Sequence, residues 1–164
     1  TEGTETVNIQ IRRLTPADAE LQKELIYIAL WDHPDEPRRP VNVLEHPVVR
    51  AYYEDWGREG DIGLLAVSND RPAGFIQLRT KECVTEEYAS FPELSIAVFP
   101  EFHRQGVAGI LWNALCEEAR DQFPGVRLGV HPRNDAAITL YKKLGFTVYA
   151  HPPGAYPQMV LHFE

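Results

Sequence analysis

The sequence predicts an α/β fold, in which a central mixed, partly parallel twisted sheet of about seven strands is flanked by about four helices. Two kinds of segment carry this prediction. Short runs alternate apolar with polar residues or are continuously apolar, and longer runs place apolar residues at helical spacing. Their order is β-α-α-β-β-β-α-β-α-β-β. Strands and helices alternate in the second half, which favours parallel strands with helices on both faces of the sheet.

The first predicted elements are a strand and a helix. Val7–Leu14 alternates apolar and polar residues, as a half-buried strand does. Thr15 and Pro16 then suit an N-cap and a first helical position, and Asp18 lies near the positive end of the helix dipole. The side chains that this helix is expected to bury are Leu21, Leu25, Ile28 and Ala29.

A loop, a second helix and a hairpin follow. The prolines of Asp32–Pro40 exclude regular structure, so this segment is predicted to be a loop. Val43–Gly57 is predicted to be a helix that is interrupted near Pro47 and ended by its glycine. Asp61–Thr80 predicts a hairpin, because two strand-like runs flank the turn residues Asn69–Pro72.

The second half contains the longest predicted helix. A polar connection over residues 81–92 leads to a strand at Glu93–Phe99, which Pro100 ends. The long helix is expected from Arg104 to about Phe123. A further helix is expected to start on Asn134 as its cap and to close at Gly145. The remaining strands are predicted at Gly125–His131, Phe146–Ala150 and Pro157–Phe163.

Composition limits the possible functions. The chain has 164 residues, which predicts one domain over residues 1–164. Its net charge of −8 argues against nucleic-acid partners. The same charge favours a cationic or neutral substrate through long-range attraction, although it also serves solubility alone. The chain contains no run of about 18 apolar residues, so no membrane span is expected.

The termini and cysteines favour a cytoplasmic protein. Residues 1–10 have neither the basic nor the apolar region of a signal peptide, and we interpret them as a short frayed arm. Cys83 and Cys116 lie far apart and form no CxxC pair, which argues against a zinc or redox site. Two free thiols fit a reducing compartment.

Two glycines begin the long helix, although glycine inside a helix costs about 1 kcal/mol relative to alanine. A helix start leaves backbone N–H groups unpaired and attracts anions. Gly106, Ala108 and Gly109 would leave these groups bare, with His103 and Arg104 beside them, which suits a phosphate. Close packing of the helix on a strand would also require small residues, and the spacing does not decide between the two.

The common phosphate-binding patterns do not fit this stretch. No Gly-Lys-Ser/Thr follows, so it is not a P-loop. Read as GxGxxG from Gly106, it has Ala108 and Leu111 at the second and third glycine positions, so it also fails the dinucleotide-binding pattern.

Two motifs instead resemble the GNAT superfamily of N-acetyltransferases. Residues 96–115 are similar to its acyl-CoA-binding motif, Leu-Ala-Val-x-Pro-x-x followed by Arg/Gln-x-x-Gly-x-Gly/Ala. Ala97, Val98, Pro100, Gly106 and Ala108 match, Ile96 stands for the leucine, and His103 replaces the Arg or Gln. Residues 128–149 resemble the next motif through Leu128, Val130, Asn134, Ala137, Leu140, Tyr141, Gly145 and Phe146. The resemblance is strong over residues 93–149 and weaker before them.

The resemblance implies a GNAT-like fold and an acyltransferase that uses acetyl-CoA as co-substrate. Its acetyl group would pass by direct attack to a primary amine of a small molecule or peptide. The implied cofactor-binding residues are Ile96, Ala97, Val98, His103, Arg104, Gln105, Gly106, Val107, Ala108, Gly109, Asn134 and Tyr141. The Val98 amide would polarise the thioester carbonyl. A homodimer is a further expectation from the family.

The resemblance also implies how protons move. An amine of pKa about 10.4 arrives charged, and Glu93 would remove its proton directly or through water. The alternative for Glu93 is a solvated charge at the strand edge. Tyr141, with a phenol pKa of about 10, would protonate the departing thiolate, whose pKa is about 8.5. The alternative for Tyr141 is a core tyrosine. No histidines have metal-ligand spacing beside a third ligand, so no metal is expected.

The less regular segments are expected to choose the acceptor. They are Trp31–Pro40, the helix with Tyr52, Tyr53 and Trp56, residues 81–92, and His151–Pro157. Asp32, Asp35 and Glu36 either attract a cation or form a solvated loop. The acceptor class stays open among aminoglycoside, polyamine, amino acid and protein N-terminus. Two alternative functions are a non-catalytic acyl-CoA-binding regulatory domain and an interaction domain without cofactor.

Overall fold

The helices and strands follow the predicted order in a computed structural model that describes residues 8–164. The strands are β1 Ile9–Arg13, β2 Ile62–Ser68, β3 Arg71–Arg79, β4 Glu93–Val98, β5 Gly125–Gly129, β6 Thr147–Ala150 and β7 Gln158–His162. The α-helices are α1 Ala19–Ala29, α2 Pro47–Arg50, α3 Val107–Ala119 and α4 Asp135–Leu144. The predicted fold class is confirmed. Residues 1–7, which include most of the expected arm, lie outside the described residues, whereas Ile9 and Gln10 of that arm belong to β1.

All seven strands form one mixed sheet in the order β1-β2-β3-β4-β5-β7-β6. Its neighbouring strands are antiparallel except for β4 and β5, which are parallel. In the described chain, the ladder between β4 and β5 has a single paired position, Glu93 opposite Arg127. The sheet is therefore open along the rest of these two strands.

Helices cover both faces of the sheet. On one face, α3 buries Leu111 and Leu115 completely, and α4 packs on the same cluster. On the other face, Leu25 and Ile26 of α1 pack with Val49 of α2. The open edge between β4 and β5 thus lies between α4 on one face and α1 with α2 on the other.

The first helix departs from the prediction in its buried face. Thr15 donates its backbone N–H to the Asp18 carboxylate at 2.9 Å, so the expected cap forms, although the first turn is a 3-10 helix. The helix buries Gln22 with Leu25 and Ile26, whereas Leu21, Ile28 and Ala29 are half-buried. Gln22 can be buried because its side chain donates a hydrogen bond to Gln77 Oε1 of β3 at 2.7 Å.

The predicted helix over Val43–Gly57 is wrong in extent. Val41–Glu45 is a 3-10 helix, α2 has four residues, and turns follow it. Pro47 holds His46 in an extended conformation, which separates the two helices. Beyond α2, the Arg79 guanidinium donates to the carbonyl groups of the turn residues at 2.6 Å and 3.2 Å, in competition with helical bonding. These carbonyls belong to Ala51, Glu54 and Asp55.

The two ends of helix α3 also differ from the prediction, and local backbone conformation sets its start. Helix α3 starts at Val107, three residues later than predicted, because Arg104 and Gly106 have positive φ angles of 64° and 77°. It also ends earlier, at Ala119.

Three turn and cap signals act close to where they were expected. The hairpin turn comprises Asn69 and Asp70, both at positive φ, while the next two residues already belong to β3. Asn134 caps α4 by accepting from the Ala137 amide at 3.2 Å. Gly145 ends that helix with φ 108°.

Candidate active site

The start of α3 is an open row of backbone N–H groups. A Cβ at Gly106 or Gly109 would meet no heavy atom within 4 Å, so helix–strand packing does not explain these glycines. Gly106 is required by its φ of 77°. Within residues 8–164, the N–H groups of Val107, Ala108 and Gly109 have no protein acceptor. This geometry suits an anion.

The side chains before this helix are directed in three ways. His103 Nε2 lies 2.9 Å from the Val98 carbonyl oxygen, so the ring donates to β4 through this nitrogen. Gln105 donates to the Glu101 carbonyl at 3.1 Å. The Arg104 side chain is exposed and makes no hydrogen bond or ion pair with any described residue, which leaves its charge available.

The open edge of β4 exposes two further N–H groups. Phe99 donates its N–H to Ala73 of the β3 side at 2.8 Å. Successive N–H groups in a strand point to opposite edges, so those of Val98 and Ile96 point toward β5, where the ladder is open. By the same alternation, the Ala97 amide faces β3, and its side chain is buried on the α1 face.

A cavity of about 590 Å³ occupies the opening between β4 and β5. It connects the two faces of the sheet and brings together Glu93, Asn134 and Tyr141. The other predicted site residues, which are Ile96, Ala97, Val98 and His103–Gly109, do not line it. They lie along β4 and at the start of α3, so the predicted site has two parts.

Glu93 is held by two cations. Its Oε1 accepts from Lys81 Nζ at 3.2 Å and from Arg127 Nη1 at 3.1 Å. Its side chain is 13% exposed, which excludes the alternative of a solvated strand-edge charge. Burial raises the pKa of Tyr52 on the same wall well above its usual value, and the negative charge of Glu93 raises it further.

Tyr141 belongs both to the core and to the cavity. Its ring packs against Phe146 at a centroid distance of 5.7 Å and also lines the cavity. Burial raises the pKa of Tyr141 to about 12. The phenol therefore keeps its proton at neutral pH, and proton transfer to a thiolate is less balanced than its unshifted pKa predicts.

Sequence reasoning missed the buried cations. Arg127 is 1% exposed and also donates to the Phe91 and Lys81 carbonyls at 3.0 Å and 2.8 Å. Arg79 is equally buried and pairs with Asp61 at 2.6 Å. The signal was present, because Arg127 interrupts an apolar strand, Arg79 ends one, and a buried charge requires partners.

The segments proposed for acceptor choice divide between cavity and core. Trp31, Tyr52 and Tyr156 line the cavity. By contrast, Tyr53 and Trp56 pack in the core of the α1 face and donate to backbone carbonyls at 2.7 Å and 3.3 Å.

The acidic residues of the Trp31–Pro40 loop already have cationic or histidine partners. Asp32 pairs with Arg38 at 2.8 Å and with Arg39 at 3.0 Å. Asp35 lies 3.5 Å from Arg133, and Glu36 lies 3.4 Å from His131. The Asp32 pairs brace the loop internally, and the Asp35 and Glu36 contacts connect it to the chain beyond β5.

The comparison with protein families gives one match. The model of the Acetyltransferase (GNAT) family matches residues 24–146, which is most of the chain. This chain belongs to that family. No curated protein sequence matches it significantly.

Solved structures agree with the GNAT assignment. The PaiA N-acetyltransferase of Thermoplasma acidophilum, in complex with coenzyme A, has a TM-score of 0.67 at 18% identity, over 95% of this chain and 99% of that one. YncA of Salmonella typhimurium, with acetyl-CoA, has a TM-score of 0.68 at 22% identity, over 96% and 95%. Ard1 of Thermoplasma volcanium has a TM-score of 0.65 at 24% identity, over 96% and 99%. At these identities the likeness shows the GNAT fold.

Residues 8–164 of this GNAT chain lack both a metal-binding cluster and a membrane-spanning helix. No group of three or more His, Cys, Asp or Glu side chains is arranged to hold a metal ion. No helix in this range is long and apolar enough to cross a membrane.

Proposed function

We propose that this GNAT protein transfers the acetyl group of acetyl-CoA to an amine. The observation that carries the proposal is the cavity between β4 and β5, which contains Glu93 and Tyr141 and connects both faces of the sheet. A donor and an acceptor can therefore meet from opposite faces. The GNAT family and the relatives crystallised with coenzyme A or acetyl-CoA support this choice.

The start of α3 would bind the pyrophosphate of the donor. The free N–H groups of Val107, Ala108 and Gly109 converge on one open surface, and the exposed Arg104 adds positive charge beside them. The Ile96 and Val98 N–H groups at the open edge of β4 would bind the pantetheine arm and the thioester oxygen. Asn134 and Tyr141 line the opposite wall. Acetyl-CoA supplies the acetyl group as an activated thioester.

Glu93 accepts the proton that the amine loses, directly or through a water molecule. Its Oε1 is held by Lys81 and Arg127, which leaves Oε2 for this purpose. Lys81 and Arg127 also disfavour a third positive charge in the cavity, so they promote entry of the neutral amine. The hydrogen bonds from Lys81 and Arg127 also keep the Glu93 carboxylate in one orientation.

Tyr141 gives its proton to the departing sulfur. The N–C bond forms as the C–S bond breaks, and solvent later returns a proton to the phenolate. Because burial raises the pKa of Tyr141 to about 12, this transfer is unfavourable on its own and must accompany C–S cleavage.

The free cysteines support a cytoplasmic location for the proposed enzyme. Cys83 is half-buried and Cys116 is buried, and neither forms a disulfide. This suits a reducing compartment.

Calorimetric titration with acetyl-CoA and assays of coenzyme A release with a panel of amines test the proposal. We expect saturable binding and amine-dependent release. Binding without release for any amine would indicate a regulatory domain, and the absence of binding would indicate an interaction domain. Either result would contradict the proposed transfer.

A further inference from the structure

The buried charges of the cavity do not balance. The side chains of Arg127, Lys81 and Glu93 are 1%, 10% and 13% exposed, so two cations face one carboxylate. Two further charged residues line the cavity, but Glu82 is exposed to solvent and Arg39 is paired with Asp32 at 3.0 Å. The sheltered part of the cavity therefore has one surplus positive charge.

Lys81 is the cation that remains available. Each guanidinium nitrogen of Arg127 already donates a hydrogen bond. The acceptors are the backbone carbonyls of Phe91 and Lys81 and the carboxylate of Glu93. Among residues 8–164, the Lys81 ammonium has one hydrogen-bond partner, Glu93, and it lies 4.4 Å from the centroid of the Tyr52 ring. An ammonium group has three N–H donors, so Lys81 retains two that a ligand can use.

The wall around Lys81 is mainly apolar on the α1 and α2 face. Trp31, Pro47 and Ala155 line it, and so do Val48 and Val84. These two valines are 62% and 59% exposed and present apolar surface at the rim of the cavity. The wall suits a ligand with an apolar body.

We propose that the acceptor is an amine that also carries a carboxylate and an apolar side chain, as an apolar amino acid does, and that Lys81 binds this carboxylate. The inference rests on the acetyl transfer proposed above and names its acceptor class. A carboxylate compensates the surplus charge and gains a charge-assisted hydrogen bond. A polyamine or an aminoglycoside would add positive charges beside Lys81 and Arg127.

The net charge of the chain does not oppose this class. The total of −8 attracts cations at long range. Salt screens that attraction beyond about 8 Å, whereas a sheltered contact is screened much less. The local charge next to the bound acceptor therefore decides its class.

Matched acceptors test the inference. We would compare kcat/KM for L-leucine, L-leucinamide and 3-methylbutylamine, each corrected for its neutral amine fraction. The first has a carboxylate, and the other two share its apolar body without one. We expect the wild-type protein to prefer leucine by about tenfold or more, as one charge-assisted hydrogen bond would give.

Variants then assign the preference to Lys81. We expect Lys81→Met to lose the preference and Lys81→Arg to keep most of it. Lys23→Met is the matched control, because Lys23 also lies over a tyrosine ring, at 5.2 Å from the Tyr53 centroid, but does not line the cavity. This control should keep the full preference.

The outcomes separate the two proposals. Equal acetylation of all three acceptors, or an undiminished preference in Lys81→Met, would overturn the acceptor class while leaving acetyl transfer in place. Failure of every amine together with no acetyl-CoA binding would overturn both. If Lys81→Met does not fold, the acceptor class is tested on the wild type instead. The measurement is the rise in Tm of the coenzyme A-loaded protein on addition of N-acetyl-leucine. The reference is the uncharged N-(3-methylbutyl)acetamide, and equal shifts in Tm would reject the inference.

Discussion

The start of α3 and the charged floor of the cavity differ in construction. The start of α3, residues 103–109, is a contiguous segment that offers backbone N–H groups. The charged floor consists of Lys81, Glu93 and Arg127, which lie 12 and 34 residues apart in the chain and interact through side chains. The floor holds β4 next to β5, whereas the start of α3 has no neighbour at its glycines. Damage to the floor should therefore reduce stability, and damage to the start of α3 should reduce binding without a loss of stability.

The largest expected effect is the loss of stability in Arg127→Met. The change leaves the Phe91 and Lys81 carbonyls without their donor and removes one partner of Glu93. Breaking one side of a buried ion pair costs about 3–5 kcal/mol. Urea unfolding measures the loss. The exposed pair of Arg13 with Glu118 supplies a control, since Arg13→Met should cost about 1 kcal/mol or less. Equal losses in the two variants would contradict the structural role of the floor.

At neutral pH, Tyr141→Phe should affect chemistry without affecting stability. The phenol makes no hydrogen bond to any described residue, and its ring contact with Phe146 is kept. We expect kcat to fall about 100-fold, which is typical for loss of a general acid, with the Kd for acetyl-CoA unchanged. Steady-state kinetics and calorimetry measure these quantities. An unchanged kcat would remove Tyr141 as the acid and leave it as a core residue.

Gly109→Leu separates binding from stability at the start of α3. A Cβ at this position meets open space, and helical side chains lean toward the N-terminus, so the leucine would cover the amides. Helix propensity should raise the free energy of unfolding by up to about 1 kcal/mol. The Kd for acetyl-CoA should nevertheless rise about tenfold, as expected when an anion site is blocked.

Asn113→Leu is the matched control for that variant. Asn113 lies one turn further along α3 and is exposed, so the change adds helix propensity and leaves the amides open. It should bind acetyl-CoA as the wild type does. Wild-type affinity in Gly109→Leu would show that the amides do not hold the pyrophosphate.

Local signals explain why much of the fold was predictable. Asn134 and Gly145 act through contacts within their own helix, so the sequence around each is sufficient to predict the ends of α4. The small residues Gly106, Ala108 and Gly109 were recognisable for the same reason, although α3 itself begins at Val107, three residues later than predicted. These features do not depend on distant parts of the chain.

Features that depend on distant partners were missed. The helix expected over Val43–Gly57 breaks partly because Arg79, which follows it by more than twenty residues along the chain, takes the turn carbonyls. Gln22 is buried because Gln77 satisfies it. The floor requires Lys81 and Arg127 to meet Glu93 across separate elements. Neither periodicity nor propensity contains information about such pairs.

The smallest expected effect is a pH dependence of stability that comes from Tyr141 in the wall of the cavity. Burial raises the pKa of Tyr141 to about 12, whereas an unfolded tyrosine has a pKa of about 10. The resulting stabilisation is fully present below pH 10 and is lost as the pH rises toward 12, because the unfolded chain then releases a proton that the folded chain keeps. Between about pH 10 and 11, the wild type should lose about 1 kcal/mol more than Tyr141→Phe does.

Urea unfolding at several alkaline pH values measures this difference. Burial also raises the pKa of Tyr52, but both proteins contain Tyr52, so its contribution cancels. Gly109→Leu keeps both tyrosines and should lose stability in parallel with the wild type. A parallel loss in Tyr141→Phe would show instead that Tyr141 is solvated in the folded protein. A solvated phenol would transfer its proton more readily than the cavity now implies, so the same measurement also tests how closely proton transfer must accompany C–S cleavage.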